Sequence, residues 1–169
     1  MRILFAVLFV LSVACKPRYE KLPLCDVSPD LSHELGAYGI TFYEDIDKAK
    51  ECATSTGRKL LIMFTGYNVS WQGADWSLLR DQDVRNMIDD QFVLVVLYVD
   101  DKTEIPLTDS SICEKYGCET YTIGKKNSIL QHENFNQNSQ PMYVVADSTL
   151  HEVVAPVGYS KEAIDLLVM

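Results

Sequence analysis

Two uninterrupted apolar runs, Leu60-Leu61-Ile62-Met63-Phe64 and Phe92-Val93-Leu94-Val95-Val96-Leu97-Tyr98, constrain this 169-residue chain more than any other feature. Side chains of a strand alternate between the two faces of a sheet, so a run with no polar position needs cover on both faces. Helices above and below supply that cover, which puts the chain among the α/β proteins. The flanking segments agree. Phe42, Ile46, Ala49 and Ala53 recur at helical spacing, Glu44 and Asp45 suit a helix N-terminus, and Gly57 stands where the helix should stop. Between the runs, Trp76, Leu79, Val84, Met87 and Ile88 predict one or two helices with a break near Asp81. A helix–strand–helix–strand order implies parallel pairing through a crossover.

The second half is less regular. Residues 101–139 are polar, contain two cysteines, and offer only a weak helix around Lys125 to Glu133. Met142-Tyr143-Val144-Val145-Ala146 and Glu152-Val153-Val154-Ala155 then flank Asp147-Ser148-Thr149-Leu150, which predicts a hairpin. Residues 160–169 predict a short amphipathic closing helix, and no internal repeat is visible. A hydrophobic share of 47% with 23% charged residues is that of a globular core. The formal net charge of −9 argues against a basic nucleic-acid-binding face.

The N-terminus reads as an export signal. Arg2 supplies a short positive region, and Ile3 through Ala14 form an apolar-to-small run of 12 residues. A membrane-spanning helix needs about 20 apolar residues, whereas a signal-peptide core is this short. Leu11-Ser12-Val13-Ala14-Cys15 resembles a bacterial lipobox, in which the cysteine becomes lipidated. Ser12 and Val13 depart from the usual leucine and small residue, and cleavage near Ala14 without lipidation is the alternative. The expected organisation is a signal peptide over 1–14, a lipidated tether over 15–36 carrying Pro17, Pro23 and Pro29, and a folded domain over 37–169. Export places the remaining cysteines, Cys25, Cys52, Cys113 and Cys118, in an oxidising compartment where disulfides persist. Four cysteines allow three connectivities, and the sequence does not choose among them. No pair has C-x2-C spacing, and only His33, His132 and His151 are available as further ligands, so no metal site is expected.

A parallel pair, a proline-initiated antiparallel hairpin and a final helix, together with local strings, resemble the thioredoxin-like family. The strings are Lys59 through Tyr67, Val95 through Thr103, and Asn138-Ser139-Gln140-Pro141-Met142-Tyr143-Val144-Val145. They are most similar to the C-terminal thioredoxin-like domain of bacterial thiol:disulfide interchange proteins, over roughly residues 40–169. The resemblance implies a thioredoxin fold with an insertion at about 101–139. It also implies a cis Gln140–Pro141 bond facing the active-site loop, an isomer that proline alone commonly adopts.

The family's chemistry needs a thiolate at a helix N-terminus and a second cysteine one turn later. The resemblance puts these at Val69 and Gln72, or at Gln72 and Asp75 in the alternative register. No cysteine lies between Cys52 and Cys113, so dithiol exchange at this place is excluded and no catalytic residue is assigned. What remains is a peptide-binding surface of Tyr67, Val69, Trp71, Gln72, Gln140 and Pro141, whose aromatic members combine apolar area with a polar handle. Trp76 is assigned to the core, while Trp71 either joins the surface or packs inward. Cys113 and Cys118, separated by four residues, are expected to form a local disulfide. The expectation is a non-enzymatic module binding protein or extended peptide, held to the envelope membrane through lipidated Cys15 on the periplasmic side. No cofactor or nucleic acid is implied. The alternatives are an oxidoreductase using Cys113 and Cys118, and a domain with a structural role only.

Overall fold

All seven side chains of Phe92–Tyr98 are buried, as are six of seven in Lys59–Thr65, where only Lys59 reaches solvent. The computed structural model describes residue 25 and residues 41–67, 81–106, 111–117 and 121–158. The expectations for the export signal, Cys15, Val69, Trp71, Gln72, Trp76, Leu79, Cys118 and the closing helix lie outside these residues. Within them, five strands form one mixed sheet: β1 (Phe42–Tyr43), β2 (Lys59–Thr65), β3 (Phe92–Tyr98), β4 (Met142–Ala146) and β5 (Glu152–Gly158), in the order β1-β3-β2-β4-β5. β3 runs parallel to both β1 and β2, whereas β4 is antiparallel to β2 and to β5. Helices α1 (Ile46–Thr56), α2 (Gln82–Gln91), α3 (Ser111–Tyr116) and α4 (Ile123–Phe135) complete the α/β arrangement.

Each apolar run is split between two cores by the strand's period of two. Leu60, Ile62, Phe64, Val93, Val95 and Leu97 pack with Ile46, Ala49 and Ala53 of α1 and Phe135 of α4. Leu61, Met63, Leu94 and Val96 face the opposite way, toward Ile88, Val84 and Met87 of α2. Fully burying a side chain of this size contributes about 2 kcal/mol, so the two faces together dominate the stability.

Phe42 does not begin α1, as its helical spacing suggested. It is a fully buried residue of β1 and serves the α2 core, on the other side of the sheet from Ile46, Ala49 and Ala53. The helix starts later because Asp45 adopts an extended conformation and its carboxylate accepts the N–H groups of Asp47 and Lys48 at 2.8 and 3.4 Å. Gly57 ends α1 at φ 72°, a left-handed turn that glycine takes without a Cβ penalty. Asp81 likewise caps α2, accepting from Asp83 and Val84, so a helix begins where the sequence predicts a break.

The region 101–139 is more ordered than its polarity suggests. α4 runs for 13 residues from a Thr122 cap to Asn136 at φ 50°. Its buried side is Gly124, Asn127, Gln131 and Phe135, helically spaced but largely polar, so hydrophobic periodicity could not reveal it. The short helix α3, which the sequence does not announce, is tied to α4 by Lys115 against Glu133 at 2.8 Å and by Tyr116 Oη donating to Glu133. The hairpin forms where expected. Asp147 Oδ1 accepts from Thr149 N, Thr149 Oγ1 and His151 N, which closes the turn.

Candidate functional site

The C-terminal end of β2 and the N-terminal end of β4 lie side by side, because Phe64 pairs with Met142. Tyr67, three residues beyond Phe64, and Pro141, one before Met142, therefore sit at the same edge of the sheet. The Gln140–Pro141 bond is cis. These are three of the six residues that the sequence assigned to a peptide-binding surface. Val69, Trp71 and Gln72 fall outside the described residues.

Tyr67 is fixed from three directions. Its N–H donates to Asp100 Oδ1 at 2.9 Å, its hydroxyl donates to Asp101 Oδ2 at 3.1 Å, and its ring stacks on Tyr98 at 4.0 Å with an interplanar angle of 8°. The close approach at Gly66 belongs to the same arrangement, since a Cβ there would meet the Asp100 carboxylate at 3.1–3.3 Å. Tyr67 remains 38% exposed. Partial burial, then the neighbouring Asp101 charge and its hydrogen bond, raise the Tyr67 phenol well above the usual tyrosine range. The side chain is thus a neutral donor with an exposed aromatic surface, suited to contact rather than to proton transfer.

The segment beneath Tyr67 is held by α4. Ile123 N donates to Thr103 O and Gly124 N to Asp101 O, both at 2.9 Å, and Ile105 N donates to Tyr121 O at 3.0 Å. A Cβ on Gly124 would meet Asp101 N and O at 2.6 Å and Val99 O at 2.7 Å, so only glycine allows this contact. Farther along α4, Gln131 holds the other loop. It is 1% exposed, donates through Nε2 to Ser139 O at 2.8 Å, and accepts from Gln140 Nε2 at 3.0 Å.

A cleft of about 290 Å³ adjoins this edge, at the carboxyl ends of β1 and β3. Clefts of open α/β sheets are found at the carboxyl ends of parallel strands. Glu44, Asp45, Lys48, Tyr98, Asp101, Lys126 and Asn127 supply its polar lining. Neither Asn127 nor Gln131 was marked by the sequence reading; their helical spacing with Gly124 is the signal that exists. Asp100 and Asp101 were not singled out either; the signal they offer is their place just past the end of a buried parallel strand.

Among the described residues, no group of His, Cys, Asp and Glu is arranged to hold a metal ion. Cys25 and Cys52 form a disulfide with Cα atoms 5.3 Å apart. Cys113, half-buried on α3, is also disulfide-bonded. No protein-family model matches the chain, and no curated protein matches it.

Proposed function

We propose that this chain is an exported, lipid-anchored protein of the thioredoxin-like type that has lost the catalytic dithiol and binds extended polypeptide. The observation that carries the reading is the juxtaposition at one sheet edge of exposed Tyr67 with the cis Gln140–Pro141 loop. The sequence has no cysteine between Cys52 and Cys113. The strand order β1-β3-β2-β4-β5, with a parallel trio and an antiparallel pair, is compatible with a thioredoxin-like layout. Anchoring at Cys15 and a periplasmic, membrane-held location follow from the lipobox-like string and belong to the same proposal.

The test uses reduced, carboxymethylated α-lactalbumin as a permanently unfolded probe and native α-lactalbumin as its control. Binding of the unfolded probe alone, weakened in Tyr67→Ala and Gln140→Ala variants, supports the reading. Equal binding of both probes, or no effect of either variant, overturns it. The disulfide state of Cys113 favours a second reading, thiol–disulfide exchange through Cys113 and Cys118. Insulin reduction by the chain, lost in a Cys113→Ser/Cys118→Ser variant, would establish that activity instead.

A further inference from the structure

The two ends of the sheet are protected in different ways. Among the described residues β1 is its first strand, with two residues, and β5 its last, with seven. A strand at an edge presents backbone N–H and C=O groups with which another strand can pair. Brevity, charged side chains, bulges and proline are the usual protections. β1 is protected by its brevity.

β5 is longer, and its composition favours pairing. Val153, Val154 and Val157 are strand formers, no lysine or arginine interrupts them, and the single charge is Glu152 at the start. Val153 is also 44% exposed, so an apolar side chain stands in solvent on this strand.

The register against β4 breaks the row. Met142 pairs with Gly158 and Tyr143 with Val157, but Val145 pairs with Val154, so Ala155 and Pro156 fall opposite the single residue Val144. Ala146 then pairs with Glu152, which makes Val153 a second extra residue. No three consecutive residues of β5 therefore keep one register. A strand added in register needs N–H and C=O groups repeating every second residue, and two bulges within seven residues remove that repeat. Pro156 lies inside the first bulge and has no N–H to offer on either side. The exposed Val153 lies in the second, where the ladder is again interrupted.

We infer that β5 is an edge closed to strand addition, with Pro156 the residue that keeps a second copy of this chain from pairing along it. The inference restricts the polypeptide-binding reading without depending on it: a bound polypeptide is gripped at the Tyr67–Pro141 end and does not extend the sheet.

The experiment compares the full chain with Pro156→Val and Pro156→Ala, in a mild detergent that keeps the N-terminal apolar runs apart. Sedimentation equilibrium reads self-association, and fluorescence anisotropy reads binding of a labelled peptide of alternating threonine and valine. The unaltered chain should do neither. The variants should self-associate and bind the peptide about tenfold or more tightly, and adding Val153→Lys should reverse both by placing a charge on the edge. Peptide binding by the unaltered chain, or a dimer of it that Val153→Lys dissolves, overturns the inference. So do folded variants as inert as the unaltered chain, and so does loss of the urea transition in both variants, since the proline then serves folding rather than protection. Carboxymethylated α-lactalbumin separates the two readings. If the unaltered chain binds neither it nor the threonine–valine peptide, the edge inference stands and the polypeptide-binding reading falls. If it binds both in competition, the edge inference falls.

Discussion

Adding one methyl group at Gly124 tests whether α4 is seated as closely as its contacts indicate. In an ordinary helix interior, alanine in place of glycine gains about 1 kcal/mol. Here the new Cβ would lie 2.6 Å from Asp101 N and O and 2.7 Å from Val99 O, all backbone atoms with no rotamer to yield. Relief requires α4 to move away, at an overpacking cost of about 1–3 kcal/mol. The movement also stretches the Gly124 N–Asp101 O and Ile123 N–Thr103 O hydrogen bonds, each contributing about 1 kcal/mol. Subtracting the helix gain leaves a net destabilisation of about 3 kcal/mol, or roughly 10–15 °C in the melting midpoint of a domain this size. Urea and thermal denaturation followed by circular dichroism measure it. The displacement should reach Tyr67 through Asp100 and Asp101, so its phenol should titrate nearer the ordinary tyrosine value in the variant. An equally or more stable Gly124→Ala protein with an unchanged Tyr67 titration would refute the close seating. Gly57→Ala is the companion measurement, because nothing stands within 4 Å of its Cβ and only φ 72° penalises the change, by about 1 kcal/mol.

Gln131→Leu keeps the volume but strips the hydrogen bonds to Ser139 O and from Gln140, and should cost about 1–3 kcal/mol in urea denaturation. Because the folded Tyr67 phenol titrates above its unfolded value of 10.0, its stabilisation is complete below about pH 10 and is lost as pH rises further; Tyr67→Phe should flatten that alkaline limb of the stability profile. The Asp147 carboxyl is held below its usual value by its hydrogen bonds to Thr149 and then by those to the turn backbone. Its contribution is present above about pH 4 and fades on acidification, so Asp147→Ala should flatten the acid limb. Replacing Cys25 and Cys52 by serine opens a link between residues 27 apart, and the chain-entropy relation gives a loss of about 3.5 kcal/mol, readable as a lower urea midpoint.

The parts of this fold that the sequence discloses are those where every residue carries the same message. All seven positions of β3 are apolar and all are buried, so the strand and its double cover were readable together. β1 was not, because two residues are too few to show a period, and Phe42 happened to stand four before Ile46. α4 was underestimated for the opposite reason: its buried side is built from glycine, asparagine and glutamine, whose partners are remote. Asn127 bonds a carbonyl 29 residues away, and the Tyr67 N–H finds its carboxylate 33 residues away. No local pattern records such pairings. Pro141 was legible only through a resemblance to sequences with a proline at that place, not through any property of its neighbours.

The concealment of α4 bears on how the candidate surface is held. α4 fixes both of its described sides: Gly124, near the helix start, clamps the segment under Tyr67, and Gln131 clamps the loop that precedes Pro141. Seven residues of helix set these two clamps about 10 Å apart along a stiff axis. A helix with an apolar buried side would pack against the same sheet through contacts that slide at little cost. Hydrogen bonds to named backbone atoms do not slide, since a shift of 1 Å leaves a buried amide or carbonyl unpaired. The polarity that conceals α4 from hydrophobic periodicity is therefore what allows it to position two loops with respect to each other.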